Sequence, residues 1–175
     1  MRERRGSGDG LPPHDAGRRA DTRTHCRGIR SGPTEEERMD TYTAALTIDR
    51  PRDEVYDRLQ RFETYPAFMD SADEVRRDGD RLHWRMSLGP VTREYEARIT
   101  AEEPGERIAW RTDEDDVQEA GEFRLTDAGE GATDVRLEAS YDLDSAALQF
   151  ADAVDFLEKK VEDDLRHLKE YLEKD

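Results

Sequence analysis

The end of the chain constrains its fold most. From about Ala146 to Leu172 the apolar positions are Ala147, Phe150, Val154, Leu157, Val161, Leu165, Leu168 and Leu172. They step by three or four, which holds them on one stripe of a 3.6-residue helix. The other positions are almost all Asp, Glu, Lys or Arg. A helix this long with a single stripe needs one broad apolar surface to lie on. A curved antiparallel sheet gripping such a helix encloses a space, and that space is the best pointer to function.

The rest of the chain supplies that surface. Tyr42, Ala44, Leu46 and Ile48 alternate along a first strand. Asp49-Arg50-Pro51 stops it, and Pro51 with Asp53 and Glu54 behind it begins a helix with acids at the positive end of its dipole. Val55, Tyr56, Leu59 and Phe62 form the buried side of that helix. Tyr65-Pro66 is expected to break it, with a second short turn at Ala67-Phe68-Met69. Six strands then follow. Val75 leads to a hairpin at Asp78-Gly79-Asp80. Leu82, Trp84, Met86 and Leu88 share one face, then Val91, Arg93, Tyr95, Ala97 and Ile99. Ile108, Trp110 and Thr112 follow, then Gly121, Phe123 and Leu125, and last Val135, Leu137, Ala139 and Tyr141. Asp144 or Ser145 is the expected N-cap of the final helix. Strands in series with segregated helices mean α+β rather than a parallel βαβ fold.

Charge divides the chain. Residues 1–38 hold nine Arg against seven acids and show no hydrophobic period, so they read as a disordered tail. The folded part is expected to span 39–175, and Met39, at its first residue, is a plausible true start. Removing the tail's charges from 28 basic and 44 acidic residues leaves 19 and 37, a net of about −18 over 39–175. A surface this negative repels phosphate backbones and anionic headgroups, which argues against nucleic-acid partners and stable membrane insertion. Only four of the basic residues are lysines: Lys159, Lys160, Lys169 and Lys174. Cys26 is the sole cysteine, so no intrachain disulfide forms. No stretch approaches the apolar length of a membrane span, and a cytoplasmic location is expected.

The phrases Ile48-Asp-Arg-Pro-Arg-Asp-Glu-Val-Tyr-Asp-Arg-Leu59 and Phe62-Glu-Thr-Tyr-Pro-Ala-Phe68 resemble the opening of the polyketide cyclase/dehydrase and coenzyme-Q-binding START-like (SRPBCC) families. Leu82-His-Trp-Arg, Gly89-Pro-Val-Thr-Arg-Glu-Tyr-Glu-Ala-Arg-Ile99, Ile108-Ala-Trp-Arg111 and Asp164-Leu-Arg-His-Leu-Lys-Glu-Tyr171 are similar to their later segments. The resemblance covers roughly 40–175. It implies a helix-grip fold, a curved seven-stranded antiparallel sheet around a long C-terminal helix with an apolar cavity between them. It does not imply an activity, because these families include cyclases, lipid carriers and quinone chaperones.

Ten residues are expected to face the cavity: Tyr42, Trp84, Met86, Arg93, Tyr95, Trp110, Phe123, Tyr141, Phe150 and Val154. Flat apolar rings with a few polar tips suit a ring-bearing or acyl ligand. The competing reading is that the rings merely fill the core. Arg93 is the local anomaly, because its phase turns a charge inward, where it must be paired, lie near the mouth, or orient a ligand carbonyl or carboxylate, unless a phase slip at the strand end puts it in solvent. The four histidines do not gather, and His25-Cys26 lacks a second metal-binding pair. No nucleophile elbow, phosphate loop or zinc-protease motif occurs. The Asp113–Asp116 and Asp163-Asp164 clusters read as solvated surface.

No catalytic constellation, metal site or cofactor is therefore expected. The leading expectation is a binder or carrier of a small hydrophobic molecule such as a polyketide, quinone or lipid. A polyketide cyclase or dehydratase acting by templating, with Arg93 and a tyrosine polarising carbonyls, is the alternative. A protein-interaction or chaperone role is the third, its protein partners unknown.

Overall fold

The computed structural model describes residues 39–113, 118–142 and 152–174. The tail at 1–38, the acids at 114–116, the expected cap at Asp144 or Ser145, and the stripe positions Ala147 and Phe150 lie outside the described residues.

All seven expected strands are present: β1 (Met39–Ile48), β2 (Ala72–Asp78), β3 (Arg81–Leu88), β4 (Val91–Glu103), β5 (Arg107–Thr112), β6 (Glu119–Gly129) and β7 (Ala132–Asp142). They form one antiparallel sheet in the order β1-β7-β6-β5-β4-β3-β2. From β2 to β7 each strand pairs with the next in sequence, while β1 closes the far edge against β7. The alternation read from sequence sets the two faces. On β3, Leu82, Trp84 and Met86 are buried while Arg81, His83 and Arg85 are exposed. Gly79, at φ +66°, makes the tight link between β2 and β3, a left-handed conformation that side chains disfavour.

Between β1 and β2 the chain runs through α1 (Arg52–Leu59) and a 3-10 helix, Phe62–Ala67. Pro51 immediately precedes α1, and Asp53 and Glu54 occupy its first turn. The 3-10 helix begins earlier than expected and keeps Pro66 inside it. In 3-10 geometry residues three apart lie on the same side. Phe62, Tyr65 and Phe68 are spaced that way, and all three are buried. Their burial outweighs the one hydrogen bond that Pro66 cannot donate.

The C-terminal helix α2 spans Ala153–Glu173. Leu157, Val161, Leu165, Leu168 and Leu172 are buried as the stripe requires. Val154 is not: it is 50% exposed, and Ala153 is buried in its place. Val154, Val161 and Leu168 recur every seven residues, and a straight helix drifts about 20° per heptad away from such a row. Two heptads of that drift bring Val154 only to the angle of the buried Leu172; it is exposed because the buried face itself turns, from Ala153, Leu157 and Lys160 in the first turns to Leu165, Leu168 and Leu172 in the last. The buried face also includes Lys160 and Asp164, so Asp164 is no part of a solvated acidic surface. Together these give the helix-grip fold, with the core between the concave face and α2.

Candidate functional site

Three rings lie side by side on the concave face. Trp84 on β3 opposes Tyr95 on β4, and the rings stack at 6.5 Å and 12°. Trp110 on β5 lies 5.7 Å from Trp84 at 23°. Trp110 opposes Gly121 on β6, where any Cβ would overlap its indole ring. The glycine is there because the indole lies flat over the β6 backbone. Tyr65, fully buried, reaches Trp84 and Trp110 at 5.8 Å and Phe123 at 6.1 Å. Its hydroxyl donates to the Leu59 carbonyl at 2.8 Å. This half of the grip is closed by aromatic packing.

The other half is polar. The Tyr95 hydroxyl donates to Glu119 Oε2 at 2.6 Å, and the Glu119 N–H donates to Thr112 Oγ1 at 3.0 Å. Lys160 donates to Asp164 Oδ2 at 2.6 Å, one helical turn along α2. The Tyr141 hydroxyl stands beside the Lys160 ammonium. Glu119, Lys160 and Asp164 are all buried, at 7%, 9% and 3% exposure. Lys160 and Asp164 offset one another, which leaves Glu119 as the surplus acid. Burial raises its pKa, against the opposing pull of Tyr95 and Lys160. Burial likewise raises the Tyr95 and Tyr141 hydroxyls, so both remain protonated donors.

A residual cavity of about 10 Å³ separates the two halves. Trp84, Met86, Trp110 and Tyr141 line it, together with Glu119, Lys160 and Asp164. It has room for about one water. The indole N–H groups of Trp84 and Trp110 are buried and, among the described residues, have no hydrogen-bond partner.

Phe123 packs edgewise in the aromatic half. Tyr42 is half-buried on β1, 6.2 Å from Tyr141. Arg93 sits opposite Met86 on β4, partly buried and, among the described residues, without a hydrogen-bond or ion-pair partner. Val154 faces away, and Phe150 lies outside the described residues. Sequence reasoning missed Glu119, Lys160, Asp164 and Tyr65. For Glu119 a signal existed: it continues the inner row Gly121, Phe123, Leu125 two residues upstream. Lys160 and Asp164 flank Leu157 and Val161 on the helix, but their charge hid them.

Residues 48–168 match the family described as polyketide cyclase / dehydrase and lipid transport. The chain belongs to that family. A 17.2 kDa protein of Streptomyces lincolnensis is 28% identical over 136 residues, covering 77% of this chain and 91% of that one. A Deinococcus radiodurans protein shares 25% identity and superposes with a TM-score of 0.61, over 75% of this chain and 95% of its own. An aromatase/cyclase from a Streptomyces strain, at 19% identity, superposes with a TM-score of 0.61 over 77% of this chain and 94% of its own. Among the described residues of this polyketide cyclase/dehydrase family member, no group of three or more His, Cys, Asp or Glu could hold a metal ion. No described helix is long and apolar enough to cross a membrane.

Proposed function

We propose that this protein binds a small hydrophobic, ring-bearing or acyl molecule between its sheet and α2. One observation carries the reading. Two indole N–H donors stand unpaired around the same cavity that Glu119, Lys160 and Asp164 line. A core built for stability alone gains nothing from this, because unpaired buried donors and buried charges cost folding energy. A molecule carrying its own polar atoms into that space satisfies them. As the cavity is nearly closed, binding requires α2 or the mouth to give way, and the apparent affinity falls with the fraction of molecules open.

The test is a neutral fluorescent probe, N-phenylnaphthylamine, with Trp84 and Trp110 as reporters. Binding should quench their emission and raise the melting temperature, as any native-state ligand does. Ala139→Leu, at the cavity wall, should weaken the probe more than it lowers stability. Native mass spectrometry of freshly purified protein should show a retained apolar molecule. No quenching, no stabilisation and no retained molecule would leave a filled core.

A second reading has its own support. The Tyr95–Glu119 pair puts a carboxyl whose pKa burial raises on the cavity wall, and a raised pKa helps a carboxyl keep the proton that a general acid must donate. The same chamber would then fold and dehydrate a carbonyl-rich substrate, in line with the cyclase / dehydrase in the description of its family. Loss of turnover in Glu119→Gln with probe binding intact would favour it.

A further inference from the structure

A second cavity lies against the first. Between α2 and the edge made by β2 and β3, a cleft of about 350 Å³ opens to solvent, within the size range of small-molecule sites. Lys160 and Asp164 line both this cleft and the interior cavity, so their ion pair is the wall between them. Phe156 on α2 gives the cleft an apolar side.

The polar groups of the cleft are unevenly matched. Two of its acids pair with cations, Asp163 with Arg166 at 2.7 Å and Asp164 with Lys160 at 2.6 Å, while Asp70, exposed at the rim, lies 3.5 Å from His167 Nδ1. Lys159 has no ion-pair partner among the described residues. Ser71, only 7% exposed, also lines the cleft, and its hydroxyl is buried with no hydrogen-bond partner among the described residues. A buried hydroxyl left unsatisfied is uncommon in a native fold and marks a place where a partner is missing. In a domain with about 18 surplus negative charges, the cleft holds one cation, Lys159, and one buried hydroxyl, Ser71, with no partner among the described residues, and the interior holds two such N–H donors.

We propose that this cleft is the entrance to the grip, and that it takes an apolar molecule bearing a carboxylate at its trailing end and a carbonyl at its leading end. The proposal rests on the reading that the grip interior binds a ligand, and adds the route and the polarity. The carbonyl passes the Lys160–Asp164 pair and accepts from the indole N–H groups of Trp84 and Trp110. The carboxylate stays in the cleft against Lys159 and the Ser71 hydroxyl. Charge is thus left at the wet end, where a carboxylate need not be desolvated, and the neutral acceptor goes to the dry one.

Three matched probes test this by calorimetry on the full chain: 3-(6-acetylnaphthalen-2-yl)propanoic acid, its methyl ester, and 3-(6-ethylnaphthalen-2-yl)propanoic acid, which lacks the ketone. The keto acid should bind tightest, with the ester and the ketone-free acid each about tenfold weaker, as losing one charge-assisted or buried hydrogen bond implies. In Lys159→Gln the acid and the ester should bind alike. Ser71→Ala should weaken the acid about tenfold while leaving the melting temperature unchanged or higher, since it removes an unsatisfied group. Equal binding of all three probes by the unaltered protein would overturn the proposal and leave the grip reading standing. A lower melting temperature with unchanged affinity in Ser71→Ala would make that hydroxyl structural and would also overturn it. If none of the three binds while N-phenylnaphthylamine does, the interior takes neutral ligands by another route. Failure of all four probes would remove both readings.

Discussion

The Tyr95 hydroxyl on β4 meets Glu119 on β6 at 2.6 Å although β5 lies between those strands. It can do so because β5 ends at Thr112, which pairs with Ala97, so Tyr95 projects beyond the end of β5. Glu119 is anchored there by its own N–H on Thr112.

This pair sets a pH dependence. Burial raises the folded-state pKa of Glu119 above its ordinary value of 4.5. The folded state therefore binds more protons than the unfolded one above that value. The associated stability is fully present below pH 4.5 and is lost as pH rises through the folded pKa. Glu119→Gln keeps an acceptor for Tyr95 but does not titrate. The stability difference, wild type minus variant, should fall as pH rises from about 4 toward neutrality, measured by urea unfolding at each pH. A difference independent of pH would mean that Glu119 ionises as freely folded as unfolded.

The buried pair on α2 makes a second, asymmetric prediction. Lys160→Met alone, or Asp164→Leu alone, should cost about 3–5 kcal/mol, because the surviving charge is stranded. The double variant should recover most of that loss, since two apolar side chains replace two desolvated charges. Denaturant unfolding of the three proteins closes the cycle. Additive losses in the double variant would show that the two charges do not interact.

Gly121→Ala puts a methyl group into the space that the Trp110 ring occupies. Overpacking of this kind costs about 1–3 kcal/mol. The ring must shift toward Trp84, so the tryptophan emission spectrum should change along with the melting temperature. An unchanged spectrum and stability would mean that Trp110 does not lie over β6.

A chain beginning at Met39 should melt at the same temperature as the full chain. Met39 already pairs with Asp142 as the first residue of β1, and residues 1–38 have no hydrophobic period with which to dock. A fall of more than a few degrees, read by calorimetry, would show that the tail contributes to the fold.

Much of this protein was legible because burial follows period. The alternation of Leu82, Trp84 and Met86, and the three-and-four spacing of Leu157, Val161, Leu165 and Leu168, fix which face each element hides without reference to any other element. The turn at Gly79 is equally local. What the sequence by itself determined is therefore the strand series, the closing helix and the inner row of rings. The tertiary structure decided the rest. Whether Val154 faces the sheet depends on how the buried face of α2 turns along the helix, and Tyr65 enters the core only because a 3-10 turn places it over Trp84 and Trp110. Glu119, Lys160 and Asp164 look like surface residues in a chain this acidic. They form a candidate site because the end of β5 and one turn of α2 bring three ionisable side chains and two indole N–H groups to one cavity, and such long-range meetings leave no trace in local pattern.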